Sequence, residues 1–186
     1  MKKYTIEIEH DQDPMNPRTD WDNVTTMICF HNRYNLGDKH DYKSDNFDGW
    51  AELKEQIESD YKVLWIKPLF LYDHSGITIS TQPFSCRWDS GQVGWVFIDE
   101  KQLNLMCGKD FERDEIKLSE MIDSDVETYD KYITGEVYRY SIYEIDECSL
   151  GHEHKNYVEG CGGYFSEEEA ESEANAVLQH LEKEVV

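Results

Sequence analysis

The sequence predicts an α+β fold, with a mainly antiparallel sheet and two longer helices in the C-terminal half. Strand-like runs crowd residues 1–98, helical periodicity crowds the stretch beyond, and the regular strand–helix alternation of a doubly wound parallel sheet is missing. A chain of 186 residues is about one domain's worth, so a single α+β domain over 1–186 is expected, with an acidic helical part from about residue 99. A mean hydropathy of -0.75 is low, but 12 Tyr, 7 Phe and 5 Trp supply large side chains for a core.

Residues 4–9 alternate Tyr4, Ile6 and Ile8 with polar neighbours, the period of a strand with one buried face. Asp13-Pro14 and Asn16-Pro17 mark a loop before a second β-prone run at 25–31. Phe47, Trp50, Leu53 and Ile57 recur at helical spacing behind Ser44-Asp45-Asn46, predicting a short amphipathic helix that runs through Gly49. Residues 63–72 are apolar almost throughout and suit a central strand. Pro68 there signals a bulge or an edge, because it has no N–H to give a neighbour. Residues 77–81 and 93–98 read as strands around a loop at 83–91. Asp99 can cap a short helix that ends near Met106, before Gly108. Phe111, Leu118, Ile122, Val126, Tyr129 and Ile133 mark one face of a helix over 110–133, stopped by Gly135. Residues 137–145 are again β-prone. The last helix, 166–184, opens with Ser166 three residues ahead of Glu169, a capping-box pattern whose acids suit the positive end of the helix dipole.

Charge restricts function more than any motif does. The chain has 18 Lys and Arg against 40 Asp and Glu, a net of -22. Residues 1–98 hold 16 acids and 10 bases, whereas 99–186 hold 24 acids and 8 bases, so the later half is the acidic one. Direct nucleic-acid binding needs Lys and Arg to neutralise phosphates and is excluded on this balance. Anionic membranes are disfavoured by the same sign. No membrane-length apolar run is present, and the two lysines at the start have no apolar stretch behind them. Five cysteines, odd in number and without a CxxC, argue for reduced thiols and a cytoplasmic setting.

The chemistry-bearing residues fall into five groups. His31, Asp38, His40, Asp73 and His74, with His10, Asp11, Asp13, Asp41 and Asp89 nearby in sequence, offer imidazole and carboxylate ligands that suit a divalent metal, zinc first, as a structural rather than a catalytic site. The competing reading is that Asp and His in loops are turn-formers and solvated surface. Cys148, His152, His154 and Cys161 are four soft ligands within fourteen residues, without the paired spacing of zinc fingers. Cys29 or Cys86 with His31 or His74 would make a thiolate nucleophile only if brought together in a cleft. Ser90-Gly91-Gln92-Val93-Gly94 lacks the lysine and helix start of a phosphate loop. Finally, the acids of the 110–133 and 166–184 helices can form a surface that a basic channel attracts. Asp114, Glu115, Glu120 and Asp123 are the candidate contact residues, all off the apolar face, so reversing their charge should spare the fold.

Several phrases carry a family resemblance: Trp21-Asp22-Asn23, Cys29-Phe30-His31-Asn32-Arg33-Tyr34-Asn35-Leu36-Gly37-Asp38-Lys39-His40, Leu71-Tyr72-Asp73-His74-Ser75-Gly76-Ile77-Thr78-Ile79-Ser80, Phe84-Ser85-Cys86-Arg87-Trp88-Asp89-Ser90-Gly91-Gln92-Val93-Gly94 and Tyr129-Asp130-Lys131-Tyr132-Ile133-Thr134-Gly135-Glu136-Val137-Tyr138. Over roughly residues 4–140 the chain resembles uncharacterised proteins carried by phages and conjugative elements of Gram-positive bacteria. The resemblance brings no assigned reaction or catalytic residue. What it implies is a setting in which small acidic proteins act as anti-restriction or anti-CRISPR factors. With the charge argument, that makes an inhibitor of a host defence nuclease the leading expectation, a type II CRISPR effector with its basic channel being the first partner to test. It would bind the protein, block nucleic-acid loading and catalyse nothing. The alternatives are a metal-dependent hydrolase using the His and Asp loops, and a structural or regulatory phage protein.

Overall fold

The computed structural model describes residues 2–184. In chain order the elements are β1 (Lys3–His10), β2 (Thr26–Cys29), α1 (Trp50–Asp60), β3 (Val63–Asp73), β4 (Ile77–Ser80), β5 (Ser90–Asp99), α2 (Glu100–Cys107), α3 (Glu115–Thr134), β6 (Tyr138–Glu147), β7 (Glu153–Tyr164) and α4 (Glu167–Glu184). The class is α+β with antiparallel pairing throughout, and the longer helices α3 and α4 lie in the C-terminal half. Where a single sheet from the first hundred residues was expected, the strands form two sheets. β1 leaves its sequence neighbours to pair with β6, in a three-stranded sheet ordered β1-β6-β7, and the other four strands are ordered β2-β5-β3-β4. Contacts divide the chain into two compact units, residues up to Met15 with those from Gly135 onward, and Asn16–Thr134.

The first unit is a three-stranded sheet with α4 against one face. Tyr4, Ile6 and Ile8 of β1 meet Tyr140 and Ile142 of β6 beneath Ala174, Val177, Leu178 and Leu181 of α4. Ala170 and Ala174 are fully buried, and their small side chains let the helix lie close on the sheet. Ser166 caps α4 as its sequence promises, its hydroxyl accepting the Glu169 N–H at 3.1 Å. β7 is a strand in a stretch for which the sequence predicts no element. Nearly all of its residues are exposed, so the alternation that would have betrayed it is absent.

The second unit has a sheet covered on both faces. Along β5, Trp95 and Phe97 face a cluster with Leu53 and Ile57 of α1, while Val96 and Ile98 face Leu118, Ile122 and Val126 of α3. Pro68 has a partner on one side only, Trp95 of β5, since β4 reaches no further along β3 than Phe70, which makes this an edge-like position for a residue without an N–H. Gly94 is required by proximity: a Cβ there would stand 1.9 Å from the Ile28 carbonyl oxygen across the β2–β5 pair. Asp99 caps α2, accepting from the Lys101 and Gln102 N–H groups at 2.8 and 3.0 Å. Two helix starts differ from expectation. α1 begins at Trp50 because Gly49, at φ 134, interrupts the run from Phe47. α3 begins at Glu115, behind Asp114, whose carboxylate accepts from the Ile116 and Lys117 N–H groups at 3.0 and 3.2 Å. Among the described residues, no helix is long and apolar enough to cross a membrane.

Candidate functional site

The loops at one end of the four-stranded sheet gather most of the chemistry-bearing residues of the second unit. There β2 and β3 end while β4 and β5 begin, so residues 30–42, 74–76 and 84–89 become neighbours. The first of these loops folds back on β2. Gly37 turns it at φ 69, the Asp38 N–H donates to the Met27 carbonyl at 2.8 Å, and the Asp38 carboxylate accepts the Met27 N–H at 2.8 Å. The loop thereby walls a polar cavity of about 530 Å³ lined by Cys29, His31, Tyr34, Asp38, Lys39 and His40 among others. An apolar slot of about 200 Å³, formed by Phe47, Trp50 and Leu53, adjoins it at Phe30 and Ser44.

The five residues proposed from sequence as metal ligands are engaged elsewhere. Asp38 grips the buried Arg18 guanidinium with both oxygens, at 2.9 Å to Nε and 2.6 Å to Nη2. Arg18 also donates to the Thr25 hydroxyl and carbonyl, at 3.3 and 2.8 Å, and lies 3.9 Å from Asp125. Asp73 pairs with Arg33 and accepts from the Tyr34 hydroxyl at 3.3 Å. His31 Nδ1 accepts from the backbone N–H groups of Arg33 and Tyr34, both at 3.3 Å. His40 Nε2 lies 3.1 Å from the Cys29 carbonyl, which can only accept, so that nitrogen carries the proton; its buried Nδ1 has no partner. His74, largely exposed, sits 3.3 Å from Asp89. Among the described residues, no three His, Cys, Asp or Glu side chains come together to hold a metal ion. The Cys148–Cys161 group is likewise spread out, because Cys148 lies in the β6–β7 turn while Cys161 pairs with Tyr140 far along β7.

All five cysteines are free thiols. Burial, and then the charge of Asp38, push the Cys29 thiol up to about 12, which keeps it protonated and removes it as a nucleophile. Cys86 and His74 do not form a relay. Both turn to Asp89, Cys86 Sγ at 3.7 Å, so the carboxylate rather than the imidazole stands nearest the sulfur. Cys148, in contrast, has its pKa lowered, chiefly by hydrogen bonds from the backbone of Leu150 and His152.

The acids of α3 turn out to be divided in use. Asp123 accepts from Thr81 Oγ1 at 2.8 Å and from Lys67 Nζ at 2.7 Å, Asp125 from Thr25 Oγ1 at 2.7 Å, and Asp130 from Thr78 Oγ1 and the Ile79 N–H, both at 2.7 Å. With Asp114 capping the helix, half of the proposed contact set stabilises the fold. Asp114 and Asp123 do lie off the apolar face, as read from sequence, yet reversing them removes a cap and a strand-to-helix tie. Glu115 and Glu120 are exposed. In α4, Glu167, Glu168, Glu169, Glu171 and Glu173 are all exposed, and no ion pair holds any of them among the described residues.

One feature of the sheet-end loops carried no signal in the sequence. Trp88 is 96% exposed, the most open of the large apolar side chains among the described residues. The loop beneath it is firmly tied: the Asp73 N–H donates to the Asp89 carbonyl at 2.8 Å, Ser90 Oγ donates to the Cys86 carbonyl, and the Phe84 ring lies 5.7 Å from that of Tyr72. Comparison of the chain with protein-family models, with curated proteins and with solved structures finds no match.

Proposed function

We propose that the chain is a protein-binding inhibitor whose open acidic surface occupies the basic nucleic-acid channel of a host defence nuclease. The observation that carries this reading is the group of exposed glutamates on α4 that no ion pair holds among the described residues. Five carboxylates between positions 167 and 173 rise along the axis at 1.5 Å per residue, about one charge per 2 Å, against one per about 1.7 Å of duplex DNA. The unit that contains α4 holds 17 acids and 5 bases, against 23 and 13 in the longer second unit. The resemblance to phage and mobile-element proteins supplies the setting. The proposed contact therefore lies on α4, with Glu115 and Glu120 of α3 in reserve, and it works by steering and channel occupancy rather than by catalysis.

The test is target cleavage by purified type II CRISPR effectors titrated with the protein. Inhibition that weakens as salt rises, and that falls when the five α4 glutamates become Lys, supports the reading, since exposed charges are screened over about 8 Å at physiological ionic strength. Unimpeded cleavage by several effectors at saturating protein removes it.

A further inference from the structure

We infer that Arg87 and Trp88 form the anchor by which this protein holds its target, seated in an apolar pocket edged by a carboxylate on the partner protein. The inference rests on the inhibitor reading above and adds what the acidic helix does not supply, a site that resists dissociation. An indole in water is an unburied apolar surface, and Trp88 is 96% exposed on a loop whose hydrogen bonds hold it in that position. Both ends of that loop are secured. Thr81 is tied to Asp123 at 2.8 Å, and Asp89 takes the Asp73 N–H, His74 and the Cys86 thiol. A loop fixed before binding loses little entropy on binding, which favours affinity.

Arg87 gives the second, independent sign. Among the five arginines, Arg18, Arg33, Arg113 and Arg139 each have a carboxylate partner, at 2.6 Å for Arg18 and 3.8 Å for Arg139. Arg87 is exposed and has no acidic partner among the described residues, in a chain where acids outnumber bases 40 to 18. Its free fork of donors matches a carboxylate beside the pocket that takes the indole. Trp and Arg are the residue types most enriched at energetic centres of protein interfaces. A net charge of -22 repels nucleic acid, so a protein carboxylate rather than a phosphate is the partner group.

The two surfaces separate kinetically. Rim charges govern association and its salt dependence, whereas a buried anchor governs dissociation. Binding to an immobilised, purified type II effector is followed for the wild type, Trp88→Ala, Arg87→Glu and a variant with the five α4 glutamates changed to Gln. Unchanged circular-dichroism melting checks that each variant is folded. Trp88→Ala and Arg87→Glu are expected to dissociate at least about 30-fold faster with association nearly unaltered, the fold-change that 2 kcal/mol represents at 1.4 kcal/mol per decade. The glutamine variant is expected to associate more slowly and dissociate as the wild type does. Wild-type dissociation from both loop variants overturns the anchor and leaves the electrostatic reading standing. A wild type that binds no effector overturns both, and guide RNA retained by the chain alone through Arg87 overturns the assignment to a protein partner.

Discussion

Replacing Asp38 by Asn tests whether this carboxylate serves the fold or a metal. The Arg18 side chain is 1% exposed, and Asp38 supplies its two-point partner. Removing one member of a buried ion pair costs about 3–5 kcal/mol, because the other charge stays out of water uncompensated. Asp38 is itself 21% exposed, and Asp125 stands 3.9 Å from the guanidinium as a second carboxylate. The lower end, about 3 kcal/mol, is therefore expected, a fall in melting temperature of roughly 10 °C for a unit of this size. Arg18→Met with Asp38→Leu leaves no charge stranded and should cost only about 1–2 kcal/mol, mostly the lost bond to the Met27 N–H. Urea unfolding followed by tryptophan fluorescence reads the right unit, since Trp21, Trp50, Trp65, Trp88 and Trp95 all lie within Asn16–Thr134. The same losses are expected with and without chelator. A cost for Asp38→Asn below about 1 kcal/mol, or one that vanishes in chelator, would refute the assignment of Asp38 to Arg18.

Four further outcomes follow from the geometry. Asp123→Lys should cost about 1–2 kcal/mol in urea melts by losing Thr81 and facing Lys67, whereas Glu115→Lys and Glu120→Lys should change stability by no more than about 0.5 kcal/mol. Iodoacetamide mapped by mass spectrometry should label Cys148 at lower pH than an ordinary thiol and Cys29 only after unfolding; equal rates would contradict their opposite pKa shifts. If the two compact units unfold independently, tryptophan fluorescence and far-ultraviolet circular dichroism should give separate transitions, and proteolysis should cut near 15–16 and 134–135. Coincident curves would mark one cooperative domain. Alkaline stability should begin to fall near pH 9, where the thiol of an unfolded Cys29 ionises while the buried one, raised to about 12, stays protonated, and should fall further above pH 10. Burial raises the Tyr129 pKa above 10.0, so the unfolded chain ionises first, and stability present below that value is lost as pH climbs through the folded one, as alkaline melts would show.

Elements whose signals are local were legible in the sequence. Asp99 and Ser166 cap helices because a side-chain oxygen meets N–H groups two or three residues on, and β3 and β5 announce themselves by apolar runs long enough for a doubly covered sheet. The start of α1 was misplaced because a regular spacing of Phe47, Trp50, Leu53 and Ile57 outweighed Gly49, whose backbone angle at the N-cap holds the helix back to Trp50. β7 was missed because an exposed strand alternates nothing.

The site obeyed a different rule. The sequence alone established the class, the acidity and the crowding of His and Asp into the loops of the first half. It could not say which carboxylates were free, since ion pairing depends on residues distant in the chain: Arg18 reaches Asp38 and Asp125, and Asp123 reaches Thr81 and Lys67. Nor could it single out Arg87 and Trp88, because a Trp in a sequence reads as core until the fold leaves it outside. Local hydrogen bonding and periodicity act within a few residues and can be read in order; burial and charge pairing are decided only when the sheet brings its loops together.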